Sequence, residues 1–189
     1  MSLKLITAPV IEPITLAEAK AHLRVTHSAE DTLIESLIKE ARNYCENETG
    51  RALIAQTWEK TYDNFPDAIE LSKLPVASIT TLKYTDENAA EQTLSSTSYV
   101  LDNASDDRSA WVVPADGYAW PDTYTGINGV RVRFVAGYAD ADSVPESLKR
   151  WMLLQIGNWY NNREAVTVGQ MSKLPYTDHL LNAYRVWSM

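Results

Sequence analysis

The side chains that could bind a metal ion or act as a nucleophile are few in this chain. It has three histidines, His22, His27 and His179, and a single cysteine, Cys45. His22 and His27 lie on either side of a predicted turn, and no third ligand follows at a spacing typical of a zinc site. Cys45 falls on the apolar side of a predicted helix, which favours a buried structural thiol. We therefore expect neither a metal site nor a cofactor.

Clustered carboxylates are a second source of chemistry, because glycoside hydrolysis needs two acids that converge in a cleft. Glu46 and Glu48 lie at the predicted end of a helix, and Asp102, Asp106 and Asp107 lie in the polar turn "DNASDD". Both groups have the context of solvated surface acids. The motifs of serine hydrolases, zinc proteases and nucleotide-binding loops are missing from the sequence. We therefore predict that the protein is not an enzyme.

An aromatic loop is the remaining candidate site. Residues 114–126 include Tyr118, Trp120 and Tyr124 among glycines and prolines, and Trp111 lies just before them. Aromatic rings of this kind could together form a platform on which a sugar stacks. A carbohydrate-binding surface on this loop is therefore one hypothesis. The alternative is that these rings pack on the loop itself or on a neighbouring subunit, with Trp111 facing the core of a sheet.

The composition limits the class of protein. The chain has 189 residues, of which 45% are hydrophobic and 22% are charged, as in ordinary globular domains. A net charge of −8 argues against wrapping nucleic acid, since that binding needs lysine and arginine to neutralise phosphates. No apolar run approaches the length of a membrane span, and no secretory signal is recognisable. A single cysteine excludes an internal disulfide and is typical of a reducing cytosol.

The first third of the chain predicts two helices. "TLAE", residues 15–18, is a capping box, in which the threonine and glutamate side chains each bond a free backbone N–H at the helix start. Its helix extends to about Leu23. "SAED", residues 28–31, gives a second start signal for a longer helix that ends near Thr49, and Gly50 suits the left-handed position after a helix.

Helical periodicity returns near the C-terminus. "SVPE", residues 143–146, resembles a third capping box, and the helix after it extends to about Asn161. This helix is apolar on two sides, so it needs cover on two sides. The N-terminal helices supply one cover, and a neighbouring subunit is a candidate for the other. A short last helix is predicted near 178–187.

The middle of the chain predicts strands. Five segments have the required alternation or composition: "QTWEKTYD", "SITTLKYT", "SYVLD", "AWVVP" and "GVRVRFVAGY". Arg131 and Arg133 share one side of the last strand, and we expect them to pair with acids across the sheet or on the next subunit. The predicted class is α+β, a small helical bundle from both ends with an inserted antiparallel β module. Its predicted parts are 1–55, 56–140 and 141–189.

Several motifs in a fixed order carry a family resemblance. "TLAEAKAHLR", then "TGR" after the long helix, then "RFVAGY" before "VPE", then "NWYNNRE" resemble the head–tail connector proteins of long-tailed bacteriophages. These are also called head-completion or adaptor proteins and are found in prophages and gene transfer agents. The chain is similar to the longer form, in which a β insertion separates the helices.

The resemblance implies a structural virion protein. Such connectors form a ring of about twelve copies beneath the portal after DNA packaging, extend the DNA channel and give the tail its docking surface. The implied partners are the portal protein, a tail-side neck or tail-completion protein, further copies of the chain, and DNA that passes without sequence-specific binding. The acidic balance suits a channel that repels DNA. The implied location is the virion neck, after synthesis in the bacterial host cytoplasm.

Two sets of residues are candidates for these contacts. On the two-sided helix, a subunit interface is predicted at Trp151, Leu154, Trp159 and Tyr160. The C-terminal segment of the family tends to engage the portal, which here implies about 176–189, with Leu180, Leu181, Tyr184 and Trp187 as anchors. Two alternatives stay open: another neck component, and a phage-associated carbohydrate-binding or cell-wall-acting accessory protein that uses loop 114–126.

Overall fold

The computed structural model of the chain describes residues 1–104, 108–162 and 179–186. In these residues, four α-helices form a layer beside two antiparallel sheets, which confirms the predicted α+β class. Asp106, Asp107 and Trp187, which were parts of the predictions above, lie outside the described residues.

The helical layer contains α1 (Leu16–Leu23), α2 (Asp31–Thr49), α3 (Glu146–Asn161) and α4 (His179–Asn182). The predicted capping box is present at α1, where the backbone N–H of Glu18 donates to Thr15 Oγ1 at 3.2 Å and the Thr15 N–H donates to Glu18 Oε2 at 2.7 Å. Gly50 follows α2 in the left-handed conformation, with φ of 74°. α1, α2 and α3 therefore begin and end close to the predicted residues, whereas α4 ends at Asn182, before the predicted end near 187.

Two of the predicted start signals do not act as caps. Glu30 precedes α2 without a side-chain capping bond, and Pro145 precedes α3 likewise. The backbone N–H of Ser143 instead donates to Asp140 Oδ1 at 2.8 Å, so this segment forms a turn before the helix. The capping boxes predicted at 28–31 and 143–146 are wrong, although the helices that follow them are present.

The strands form one sheet of five and one of three. The larger sheet has the order β1 (Ser2–Thr7), β2 (Gln56–Tyr62), β8 (Val130–Ala136), β4 (Val76–Thr85) and β5 (Glu91–Thr93). The smaller sheet has the order β3 (Ile69–Leu71), β7 (Ala110–Pro114) and β6 (Tyr99–Asp102). All five predicted strands are present. The prediction missed β1, β3 and β5, so residues 1–55 contain a strand as well as helices.

Each layer has its own apolar core. The helical core buries residues from the four helices and from the segments that join them: Ile14, Ala19, Ile34, Ile38, Ala41, Cys45, Leu53, Ile54, Val144, Leu148, Trp151, Met152, Ile156 and Leu181. The sheet core lies on the inner face of β8 and against the smaller sheet. Its buried members are Ala52, Ile69, Leu71, Leu74, Val76, Leu82, Ala110, Val112, Val130, Val132, Phe134 and Ala136.

A buried carboxylate joins the two layers. Glu46, near the end of α2, accepts hydrogen bonds from the Leu53 backbone N–H and from Gln56 Nε2, both at 2.8 Å. It also pairs with Arg42 Nη1 at 3.2 Å, and Arg42 Nε donates to Glu12 Oε2 at 2.7 Å. Burial raises the pKa of Glu46, although these bonds act in the opposite direction. The cluster connects the segment before α1, which contains Glu12, with α2 and the start of β2.

A glycine lies where the chain leaves β8 and returns to the helical layer. Gly137 follows β8 with φ of 110°, and its N–H donates to the Pro75 carbonyl at 2.8 Å. A Cβ atom at this position would lie 2.3 Å from the carbonyl oxygen of Ile54. Only glycine combines this conformation with so close a backbone approach.

Candidate functional site

The side of α3 that faces α2 contains one of the predicted interface residues. Trp151 is only 2% exposed, within the helical core, and its ring centroid lies 5.3 Å from that of Tyr44. Because the periodicity of α3 is apolar on more than one side, the sequence did not distinguish its inner from its outer face. We therefore assign Trp151 to the core of the subunit and correct its assignment to a subunit interface.

The other three predicted interface residues differ in their surroundings. The hydroxyl of Tyr160 donates to Glu30 Oε2 and so links the end of α3 to the start of α2. Trp159 is half-buried and lies beside Tyr44, with ring centroids 6.0 Å apart. Leu154 is also half-buried. Trp159 and Leu154 thus keep part of their surface exposed, whereas Tyr160 already binds within the chain.

The C-terminal segment packs against its own subunit. Leu181 is buried in the helical core, and Leu180 and Tyr184 are half-buried against it. The Arg51 guanidinium donates from Nε to the Tyr184 carbonyl at 2.6 Å and lies over the Tyr184 ring at 5.9 Å. The N–H of Val186 donates to the Thr49 carbonyl at 2.8 Å. Leu181 therefore is not a free anchor in this structure.

The aromatic loop is partly folded onto the sheet core. The Trp120 ring stacks on Phe65, with centroids 4.8 Å apart and planes at 7°, and its Nε1 donates to the Asp67 carbonyl at 3.3 Å. Tyr118 and Tyr124 are exposed. One face of Trp120 is thus covered by Phe65 within the chain.

Trp111 points the other way from the expected direction. In β7 the side chains of Ala110 and Val112 are buried, whereas Trp111 between them is 40% exposed. Neighbouring side chains of a strand point to opposite faces, so the small residues take the inner face here. This corrects the expectation that Trp111 faces the core, and it adds an exposed aromatic side chain that the sequence reasoning missed.

The outer face of the larger sheet has the predicted ion pairs. Arg133 Nε lies 2.6 Å from Glu59 Oε2, its direct partner across β2 and β8. Glu91 pairs with Arg131 and, at 2.6 Å, with Lys83. The expectation that Arg131 and Arg133 pair with acids across the sheet is confirmed.

The remaining candidates for chemistry have structural roles. Cys45 is fully buried, and burial raises the pKa of its thiol to about 12, which makes a reactive thiolate rare at neutral pH. Glu48 pairs with Arg185 Nη2 at 2.9 Å. Within residues 1–104, 108–162 and 179–186, no group of three histidine, cysteine or acidic side chains could hold a metal ion. No helix of these residues is long and apolar enough to cross a membrane.

Residues 13–110, which contain α1, α2 and the strands from β2 to β6, match a known family. The family model of the phage gp6-like head-tail connector protein matches residues 13–110, which is more than half of the chain. The chain belongs to this connector family. A comparison with curated proteins gives no match.

Solved structures of gene transfer agent particles contain similar chains. A chain of the neck of the empty particle, computed with C6 symmetry, is 26% identical with a TM-score of 0.78. Chains in the virion of the native particle (24% identical, TM-score 0.81) and in its neck, computed with C12 symmetry (22%, 0.78), share the fold. Each alignment covers 100% of this connector and 97% of the other chain.

Proposed function

We propose that this protein is a structural connector of a virion neck, whose copies form a ring between the portal and the tail. The observation that carries the proposal is the likeness over the full chain to a component of a gene transfer agent neck, in a chain that belongs to the connector family. The buried or ion-paired state of Cys45, Glu46 and Glu48 is consistent with a role in binding rather than in catalysis. The place of action is the neck of a particle assembled in the host cytoplasm.

The proposed partners follow the position of a neck protein. On the capsid side it binds the portal after DNA packaging, with residues 176–189 as the contacting segment. On the tail side it offers the docking surface for the next neck or tail-completion protein. The ring of about twelve copies surrounds the DNA channel, and DNA passes through it without sequence-specific binding.

The ring itself can be tested with purified components. We expect the chain, mixed with portal rings, to add a second ring of density in negative-stain images and to raise the mass measured by light scattering. Serum albumin in place of the chain is the control for non-specific adsorption. A chain that stays monomeric and leaves portal rings unchanged over a wide concentration range would contradict the proposal.

The part of α3 in the ring interface has its own test. Trp159→Asp replaces a half-buried ring with a carboxylate. We expect a folded monomer that no longer assembles, because charges are depleted from interface cores. Trp111→Asp, on the outer face of the smaller sheet, is the matched control and should assemble. Circular dichroism checks the fold. Global unfolding of the Trp159 variant would place this ring in the core and refute its interface role.

A further inference from the structure

The outer face of the larger sheet is basic. Directly paired residues of a sheet share a face. One side of the sheet therefore has the pairs Lys4 with Glu59, Glu59 with Arg133, and Arg131 with Lys83. The opposite side of β8 has the buried Val130, Val132 and Phe134. We call the outward side the basic face; its charged members are Lys4, Glu59, Lys83, Glu91, Arg131 and Arg133. Its cations outnumber its acids in a chain with a net charge of −8.

The loops at one end of the same sheet are acidic. Three segments lie at this end: 63–68 follows β2, 86–90 follows β4, and 115–129 precedes β8. They therefore meet at the end of the sheet opposite to the helical layer. We call these three segments the acidic tip. They contain no lysine, arginine or histidine, and their acids are Asp63, Asp67, Asp86, Glu87, Asp116 and Asp122.

The acidic tip is held together by specific bonds. Asp63 Oδ1 accepts from the Asn128 N–H at 2.9 Å, and the Tyr124 N–H donates to the Thr85 carbonyl at 3.0 Å. A Cβ on Gly129 would lie 2.5 Å from the Asp63 carbonyl oxygen, so the segments are closely packed. The tip also exposes apolar surface, with Ile127 85% exposed. An ordered surface with apolar and charged groups is suited to docking, because little conformational entropy is lost on binding.

We infer that the acidic tip of one copy docks on the basic face of the next copy, which rests on the ring proposed above. The two surfaces have opposite charge, and complementary charge favours the correct partner and its orientation. They lie on different parts of one chain, so their contact is heterologous. A heterologous contact repeats from copy to copy and gives a ring when the rotation closes.

DNA is the other polyanion that a basic face could meet, but the face is less suited to it. Glu59 and Glu91 already pair with Arg133, Arg131 and Lys83, which leaves a small excess of positive charge. Binding of a DNA backbone depends on many cations that release counterions. A protein surface with a few well-placed acids fits this face better.

Charge reversal on each surface tests the contact. The face variant has Lys4→Glu, Lys83→Glu and Arg133→Glu. The tip variant has Glu87→Lys, Asp116→Lys and Asp122→Lys, which spares Asp63 and Asp86 because both bond loop backbone. The combined variant has all six changes and returns to the parent net charge. A control variant, with Arg24→Glu after α1 and Lys39→Glu on α2, lowers the net charge away from both surfaces and from α3.

Ring formation, alone and on portal rings, is measured by light scattering after circular dichroism has confirmed folding. We expect the face and tip variants each to lose at least about tenfold in assembly. The combined variant should recover to within about threefold of the parent, because its charges are again complementary. The helical-layer control should assemble. If the face variant does not fold, Lys4→Gln with Arg133→Gln replaces it, and a loss of about threefold is expected.

Three results would overturn the inference. The first is assembly of both single-surface variants at the level of the parent. The second is failure of the combined variant to recover although it folds. The third is normal assembly of the face variant together with loss of binding to double-stranded DNA, which would make DNA the partner. In each case rings of the parent chain would still support the proposed connector, whereas a parent without rings on the portal would contradict the connector itself.

Discussion

The two layers hold their buried charges differently: on the helices Arg42 pairs with the carboxylates of Glu46 and Glu12, whereas beneath the sheets a buried lysine binds a backbone carbonyl. Lys60 is 4% exposed; its ammonium donates to the Glu70 carbonyl at 2.6 Å and lies 5.4 Å from the centroid of the Tyr62 ring. Burial lowers the pKa of Lys60. Apolar burial stabilises the fold in proportion to the buried area. A buried ammonium, in contrast, needs its partners to offset the free energy lost when the charge leaves water. We therefore expect substitutions in the apolar core of the helical layer to lower stability more than substitutions on the exposed side of the sheet layer.

The largest expected effect separates the two layers directly. Trp151→Ala removes a ring from the helical core and should lower the free energy of unfolding by about 3–5 kcal/mol. Trp111→Ala removes an exposed ring from the sheet layer and should change it by less than about 1 kcal/mol. Urea unfolding followed by circular dichroism measures both. Equal losses would show that the outer sheet face contributes as much as the helical core.

The seam between the layers is the next target. Gly137→Ala forces a Cβ against the Ile54 carbonyl at positive φ and should cost about 3 kcal/mol. The matched control is Gly117→Ala, which has φ of 78° but nothing within 4 Å of the added carbon. We expect it to cost only about 1 kcal/mol. Thermal unfolding of both variants would show whether close approach or backbone strain dominates.

A titration tests the carboxylate in the same seam. Because burial raises the pKa of Glu46, the folded state binds this proton more tightly than the unfolded state. The free energy of unfolding should therefore fall as pH rises from the usual glutamate range through the raised pKa. Glu46→Gln removes this dependence and should cost about 1–3 kcal/mol at neutral pH, since its amide is a poor partner for Arg42.

The measurement is the difference in free energy of unfolding between the parent and the Glu46→Gln variant. It is taken from unfolding curves at several values between about pH 4 and about pH 7. Hydrogen bonds lower the pKa values of other acids, Glu18 and Asp140 among them. These acids titrate in both proteins, so their contributions cancel in the difference between parent and variant. A difference that stays constant with pH would mean that Glu46 titrates alike in the folded and unfolded states.

The smallest expected effect is confined to the helical layer. Thr15→Ala removes one half of the capping box of α1, and we expect a loss of about 1 kcal/mol. Thr97→Ala, at an exposed turn of the sheet layer, should change stability by less than about 0.5 kcal/mol. A loss at Thr15 as large as that of Trp151→Ala would mean that α1 is needed for the whole helical core to form.

The helices were predictable because their signals are local. The capping box at Thr15 and the glycine after α2 satisfy backbone groups within four residues, and so the sequence shows them directly. The false signals at 28–31 and 143–146 arose where another group took part instead: Asp31 pairs with Lys20, and Asp140 accepts from the Ser143 backbone N–H.

The sheets were predictable only in part because pairing is long-range. β3 and β5 have three residues each, too few for a pattern of alternation. β1 joins β2 across at least fifty residues of sequence, and its alternation of Leu3 and Leu5 is a short signal. Trp111 is exposed because Ala110 and Val112 beside it take the inner face of the sheet. The six acids come together at the tip only because three distant loops meet there.

The path of the last described residues has a mechanical consequence. Val186 hydrogen-bonds Thr49 and lies 3.4 Å from where a side chain on Gly50 would begin. Arg185 is tied to Glu48 nearby. A force applied through the C-terminus, for example by a bound portal, would thus act first on the last turn of α2. That turn is joined by one short connection to the start of β2.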